Sequence, residues 1–177
     1  MGCNHNFHNR KSIRLPGYDY SQSGAYFVTI CVQNQQCLFG EIVDGVMLLN
    51  EMGKIVVDEW VKTAVIRREI SLGDWVVMPN HFHGIVVIDN HRNRGHCHTL
   101  PQRQSPSKNL GAMIRGFKSA ATKQINQYRQ TPGTPVWQRN YWEHIIRNDD
   151  DLHRIREYMQ TNPMRWQQDS LHPNAQP

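Results

Sequence analysis

Residues 70–88 constrain this chain more than any other stretch. Ile70 to Met78 and His81 to Ile88 read as two apolar, extended segments, parted or kinked at Pro79-Asn80. A proline between paired strands implies an edge, a bulge or a turn. Within the second segment, His81 and His83 are two apart and therefore share a face, while Phe82 points the other way. Neutral imidazoles in an apolar setting offer two nitrogen ligands to one divalent cation. The competing reading is a pair of inert, hydrogen-bonded side chains near a strand end, because short motifs match by chance.

The elements around this pair alternate between sheet and helix. Residues 25–33 are dense in β-branched and aromatic side chains and predict a buried strand. Residues 37–49 carry Asp44-Gly45 between apolar runs, which is a hairpin signal. Asn50 stands where an N-cap belongs, and Met52, Ile55, Val56, Trp60 and Ile66 follow at helical spacing to about Arg67. A second helix is predicted from Lys108 to about Gln130, with Leu110, Met113, Ile114, Phe117, Ala121 and Ile125 on one stripe. Residues 136–147 have strand chemistry. A last helix should then run to about Thr161, because the residue before Pro163 is disfavoured in helical geometry. Hairpins separated by helices indicate an α+β domain, an antiparallel sheet covered mainly on one side. The expected organisation is a basic lead-in over 1–23, one domain over 24–166, and a polar, frayed tail over 167–177.

Charge narrows the partner. The 177 residues carry a formal net charge of +5, spread along the chain rather than gathered in a tail. Such a surface suits a phosphate backbone, although ordinary solubility charge also accounts for it. The four cysteines show no metal-type pairing and no secretory context, which predicts a reducing, cytoplasmic setting. No apolar run approaches membrane-spanning length, and Asn6 breaks a myristoylation pattern. His96-Cys97-His98 repeats the His-x-His spacing in a polar loop, where fortuitous spacing is the simpler reading.

Tyr158 lies beside the core stripe Leu152, Ile155 and Met159 of the last helix, and Asn162 follows it by four, on the same face. Either Tyr158 simply packs, or it is a phenolic nucleophile beside a metal site that His81 and His83 begin and the Asn162 amide completes. Glu143 and His144 could orient such a site from behind, or brace the sheet. Arg14, Arg115, Lys118, Lys123, Arg139 and Arg154 are candidate phosphate contacts, and Trp137 and Trp142 candidate stacking platforms for unpaired bases. Alternation along a strand cannot turn every aromatic of that segment outward.

Three segments, in matching order, resemble the REP-associated tyrosine transposases, single-tyrosine members of the HUH endonuclease superfamily. They are Trp75-Val76-Val77-Met78-Pro79-Asn80-His81-Phe82-His83, the run from Val136 to Arg147 containing Trp142-Glu143-His144, and Tyr158-Met159-Gln160-Thr161-Asn162-Pro163. The resemblance covers about Tyr26 to Trp166. It implies a ferredoxin-like core, the histidine pair on a central strand and the tyrosine on a helix facing it. It also implies cleavage of single-stranded DNA near the foot of short palindromic hairpins (the repetitive extragenic palindrome type), with Mg²⁺ or Mn²⁺. In that scheme His81 and His83 are metal ligands and Asn162 is the third, where some relatives have Gln. Tyr158 is the nucleophile, leaving a 5′-phosphotyrosine and a free 3′-hydroxyl. A hairpin-binding repressor or architectural protein with vestigial nuclease activity is the alternative, and a small-phosphoester hydrolase a third reading. Whether the protein acts as monomer or dimer stays open.

Overall fold

The computed structural model describes residues 18–89 and 109–175. The candidates Arg14 and His96-Cys97-His98 lie outside them. Strand β1 (Gly24–Cys31) is followed by the small hairpin β2 (Gly40–Val43) and β3 (Val46–Leu49), then helix α1 (Glu51–Ile66). Next come β4 (Ile70–Met78), β5 (His81–Ile88), α2 (Leu110–Arg129), β6 (Trp142–Ile146) and α3 (Asp149–Thr161), and a 3-10 turn at Pro163–Gln168.

Local chemistry sets most of these boundaries. Asn50, Asn109 and Asn148 each cap a helix, accepting from the backbone N–H three residues on. Asp44 and Gly45 both take positive φ, the mirror-image turn that matches hairpin twist. Pro79-Asn80 is a tight turn between β4 and β5, whose registers run Met78 opposite His81 and Val76 opposite His83.

The main sheet has the order β4-β5-β1-β6, with every neighbouring pair antiparallel. Helix α1 links β1 to β4 and α2 links β5 to β6, so the sheet has the β-α-β-β-α-β, ferredoxin-like arrangement expected. The histidine strand is central. One face packs on α1 and α2 through Tyr26, Val28, Ile30, Phe82, Val86 and Ile88 against Trp60, Met113, Ile114 and Phe117, all buried. Gly84 belongs to this packing: a Cβ there would stand 2.7 Å from the Trp60 ring, so only glycine lets the indole lie against the strand. The opposite face is covered by α3, whose Ile155 and Met159 meet Ile85, with Phe27, Val76, Val87, Ile146 and Leu152 around them. No helix among the described residues is long and apolar enough to cross a membrane.

Two expectations change. Residues 136–141 do not join the strand. Val136 and Gln138 pair with the end of β1, and the Lys118 ammonium then gathers the carbonyls of Gln138, Arg139 and Asn140, turning that stretch away from ladder geometry. The tail from 167 is not frayed as far as it is described. Its polar composition predicts solvation, but Trp166 is buried against His172, with ring centroids 4.7 Å apart. Asn80 also donates to the carbonyl of Leu171 at 2.7 Å.

Candidate active site

Alternation along β5 delivers His81 and His83 to the α3 face, at 0% and 1% exposure. Each imidazole is anchored through Nδ1: His81 to the Asn80 Oδ1 at 2.8 Å, and His83 to the Thr29 hydroxyl at 2.8 Å. Thr29 is the residue directly opposite His83 in the β1–β5 register. With Nδ1 occupied, Nε2 of each ring faces inward. Phe27 stacks on His83 with centroids 5.3 Å apart and meets Tyr158 edge-on, which holds the ring from a second side.

Helix α3 brings Tyr158 to this pair within the same chain. Its hydroxyl lies 3.3 Å from His83 Nε2. Asn162, one turn later at the helix end, is 4% exposed. A carboxylate that the sequence reading missed also arrives: the Asp169 Oδ2 is 3.9 Å from His81 Nε2. One ligand atom from each of His81, His83 and Asp169 lies within 4.8 Å of the others. Nothing in the sequence marks Asp169, because it sits in a polar segment and reaches the strand only through the turn after α3. Thr29 and Phe27 escaped for a related reason: strand register decides their neighbours, and a single sequence does not state register.

The electrostatics suit a cation. Burial pushes His81 down to about 4, with the Asp169 charge pulling the other way, and burial pushes His83 well below the usual imidazole range. Both rings are therefore neutral at pH 7 and present lone pairs. Tyr158 is raised, by burial first and by the Asp169 carboxylate second, with the Asn162 side-chain hydrogen bond acting against them. His81 Nε2, Asn162 Oδ1 and Asp169 Oδ2 are all buried without a hydrogen-bond partner. Leaving such groups unsatisfied costs about 1–3 kcal/mol each, and the His81 and Asp169 atoms stand 3.9 Å apart, an arrangement that a shared ligand relieves. Two imidazole nitrogens, an amide oxygen and a carboxylate oxygen are a donor set that a divalent transition cation accepts.

The other candidates are placed as follows. His144 is held by Asp151 at 2.6 Å, tying β6 to the start of α3. Glu143, opposite Val28, has the parity of the α1/α2 face and so points away from the imidazoles. Trp137 is 6% exposed and fills the core between Phe39 and Phe117, so it offers no stacking face. Trp142 is 61% exposed, opposite Thr29 on the same sheet face as His83. Arg115, Lys123, Arg139 and Arg154 are exposed, the last paired with Asp151. Lys118 is half-buried among backbone carbonyls, and burial pushes it down to about 8.

No protein-family model matches the chain. A Haemophilus influenzae protein described as uncharacterized is 38% identical over 177 residues, which is 96% of this chain and 96% of that one. A second protein of that organism, named "Putative REP-associated tyrosine transposase", is 33% identical over 78 residues, covering 40% of this chain and 44% of its own length. Among solved structures, that of a REP-associated tyrosine transposase bound to a REP hairpin matches with a TM-score of 0.57 and 22% identity. The match covers 86% of this chain and 74% of that one. The chain thus belongs to one family with the Haemophilus relative that it matches over 96% of its length, is similar over about two-fifths of its length to a protein named as a putative REP-associated tyrosine transposase, and has the fold of the solved one.

Proposed function

We propose that this protein is a metal-dependent single-strand DNA endonuclease and strand transferase. It acts near short palindromic hairpins through a covalent 5′-phosphotyrosine on Tyr158. One observation carries the reading: the Tyr158 hydroxyl, from the same chain, lies 3.3 Å from an imidazole nitrogen of the histidine pair. Exposure supports it, because the ligand candidates are buried at 0–4% while Tyr158 is 44% exposed. The nucleophile alone faces an incoming strand.

His81, His83 and Asn162 would hold a divalent cation, Mg²⁺ or Mn²⁺, with Asp169 alongside. Once bound, the cation supplies Lewis-acid polarisation of a non-bridging phosphate oxygen, offsetting the charge that repels a nucleophile. The protein's own groups do the remaining work. Phe27 and His83 fix the phenol ring, and the Thr29 hydroxyl, directly opposite on β1, fixes His83. The phenol holds its proton at neutral pH, since burial and Asp169 both oppose ionisation. As the Tyr158 oxygen forms the new bond to phosphorus its proton passes to solvent, the bond from phosphorus to the 3′ oxygen breaks, and that oxygen takes up a proton from solvent and leaves as a hydroxyl. The ester bond energy stays on Tyr158, so rejoining needs no nucleotide cofactor. Trp142, exposed on the same face, would stack an unpaired base of the bound strand.

Incubation with a labelled single-stranded hairpin and Mn²⁺, followed by a denaturing gel, tests the proposal. A shifted covalent band that needs the metal is the expected result. Binding without a band would instead fit a hairpin-binding protein with vestigial nuclease activity, and strand turnover without a band would fit a hydrolase.

A further inference from the structure

We propose that Asn80 is a positioning residue that sets the tautomer of His81 and fastens the C-terminal segment to the site. Its amide makes three contacts. Nδ2 donates to the Leu171 carbonyl at 2.7 Å and to the Gln35 carbonyl at 3.2 Å. Carbonyl oxygens only accept, so the NH₂ end of the amide must face them. That leaves Oδ1 toward His81 Nδ1, at 2.8 Å. An amide oxygen also only accepts, so Nδ1 carries the proton and the lone pair of His81 sits on Nε2. The contact at His83 is looser in this sense, because the Thr29 hydroxyl can rotate to donate or accept.

The same amide closes a ring through the C-terminal segment. Leu171 offers its carbonyl to Asn80 and its N–H to Asp169 Oδ1, at 2.7 Å. Asp169 Oδ2 is thereby held 3.9 Å from the His81 Nε2 that Asn80 has left unprotonated. One side chain therefore decides both which nitrogen is free and which carboxylate reaches it. A hydrogen bond to the far nitrogen of a ligating imidazole orients the ring and raises its basicity. The consequence for metal affinity rests on the cation site proposed above; the tautomer and the ring through Leu171 do not.

The test uses the full-length, metal-free protein. Long-range imidazole ¹H–¹⁵N correlation on ¹⁵N-labelled wild type should show His81 as a single Nδ1–H tautomer. In Asn80→Ala the single-tautomer signature should be lost, and calorimetric titration with MnCl₂ should show affinity lowered about 10–100-fold. In Asn80→Asp the carboxylate still accepts from Nδ1–H but opposes two carbonyl oxygens. The tautomer should persist while hydrogen-exchange protection of the Leu171 amide disappears. A wild-type His81 protonated on Nε2 overturns the assignment without any variant, as does an Asn80→Ala protein that keeps both the Nδ1–H signature and the Leu171 protection. Absence of Mn²⁺ heat in wild type removes the cation site, while the wild-type spectrum still decides the role of Asn80.

Discussion

One face of the central sheet packs Tyr26, Val28, Ile30, Phe82, Val86 and Ile88 beneath two long helices, while the other lies beneath the single helix α3 and carries His81 and His83. The same four strands supply both faces, and strict alternation separates them: Phe82 seals one side and its two neighbours arm the other. The α1/α2 face is a continuous apolar layer including Trp60, Phe117 and Trp137. The apolar cluster under α3 is smaller, with Ile85, Ile155 and Met159 buried among the described residues, and the same face buries the polar Thr29, His81 and His83. Stability is concentrated on the first face, and the second keeps buried polar atoms that a purely structural surface would not retain.

Four comparisons probe that division. The largest effect is expected for Tyr158→Phe, which removes one oxygen from a 44%-exposed side chain. The metal-dependent adduct should fall by on the order of 10³-fold or more, with hairpin binding and thermal midpoint close to wild type. Quantitative gel assays beside thermal melts measure both. Loss of folding would place Tyr158 with the structural face instead.

Phe82→Ala, between the two histidines but on the opposite face, should cost about 3–5 kcal/mol in urea unfolding, because Trp60 and Phe117 pack on the ring at 4.5 and 5.7 Å between centroids. His81→Ala should show the reverse pattern, abolishing Mn²⁺ heat at a smaller cost in stability.

The third effect follows from pH. His81 is depressed from 6.5 to about 4 in the folded chain, so the unfolded chain binds more protons between those values. The stability of the metal-free protein is then fully present above pH 6.5. It falls as pH drops toward 4, with a slope of about 1.4 kcal/mol per pH unit from this group. Urea midpoints across pH 4–7 measure it, and His81→Gln should reduce the slope by that amount, leaving the contribution of His83, which burial depresses as well. An unchanged slope would mean that the imidazole is not buried neutral.

The smallest expected effect, that of Trp142 on binding, is set beside the other tryptophan of the segment. Trp142→Ala should weaken single-strand binding by about 1–3 kcal/mol with little change in stability. Trp137→Ala should instead destabilise the fold by about 3–5 kcal/mol. Fluorescence anisotropy and melts on both variants compare them, and equal effects on binding would erase the distinction between the faces.

Much of this arrangement is legible before any coordinates. Period-two patterning marks β1, β4 and β5, asparagine caps and apolar stripes mark the helices, and the i, i+4 spacing joins Tyr158 to Asn162. What is not legible depends on contacts between distant segments. Thr29 meets His83 through register, 54 residues apart, and Asn80 meets Leu171 across 91. Trp137 and Trp142 look alike as residues in an aromatic segment. Only the departure of residues 136–141 from the ladder sends one into the core and leaves the other exposed. Asp169 lies where composition alone predicts solvent, and one buried tryptophan with one amide clasp is enough to reverse that.

Peptide mapping of the covalent product by mass spectrometry, after reaction with a single-stranded hairpin and Mn²⁺ and digestion of both protein and DNA, bears most directly on the pairing of α3 with the histidine strand. A nucleotide mass on Tyr158, absent when His83 is replaced, is the predicted result. An adduct on any other residue, or one on Tyr158 that forms equally well without His83 and without metal, would contradict it.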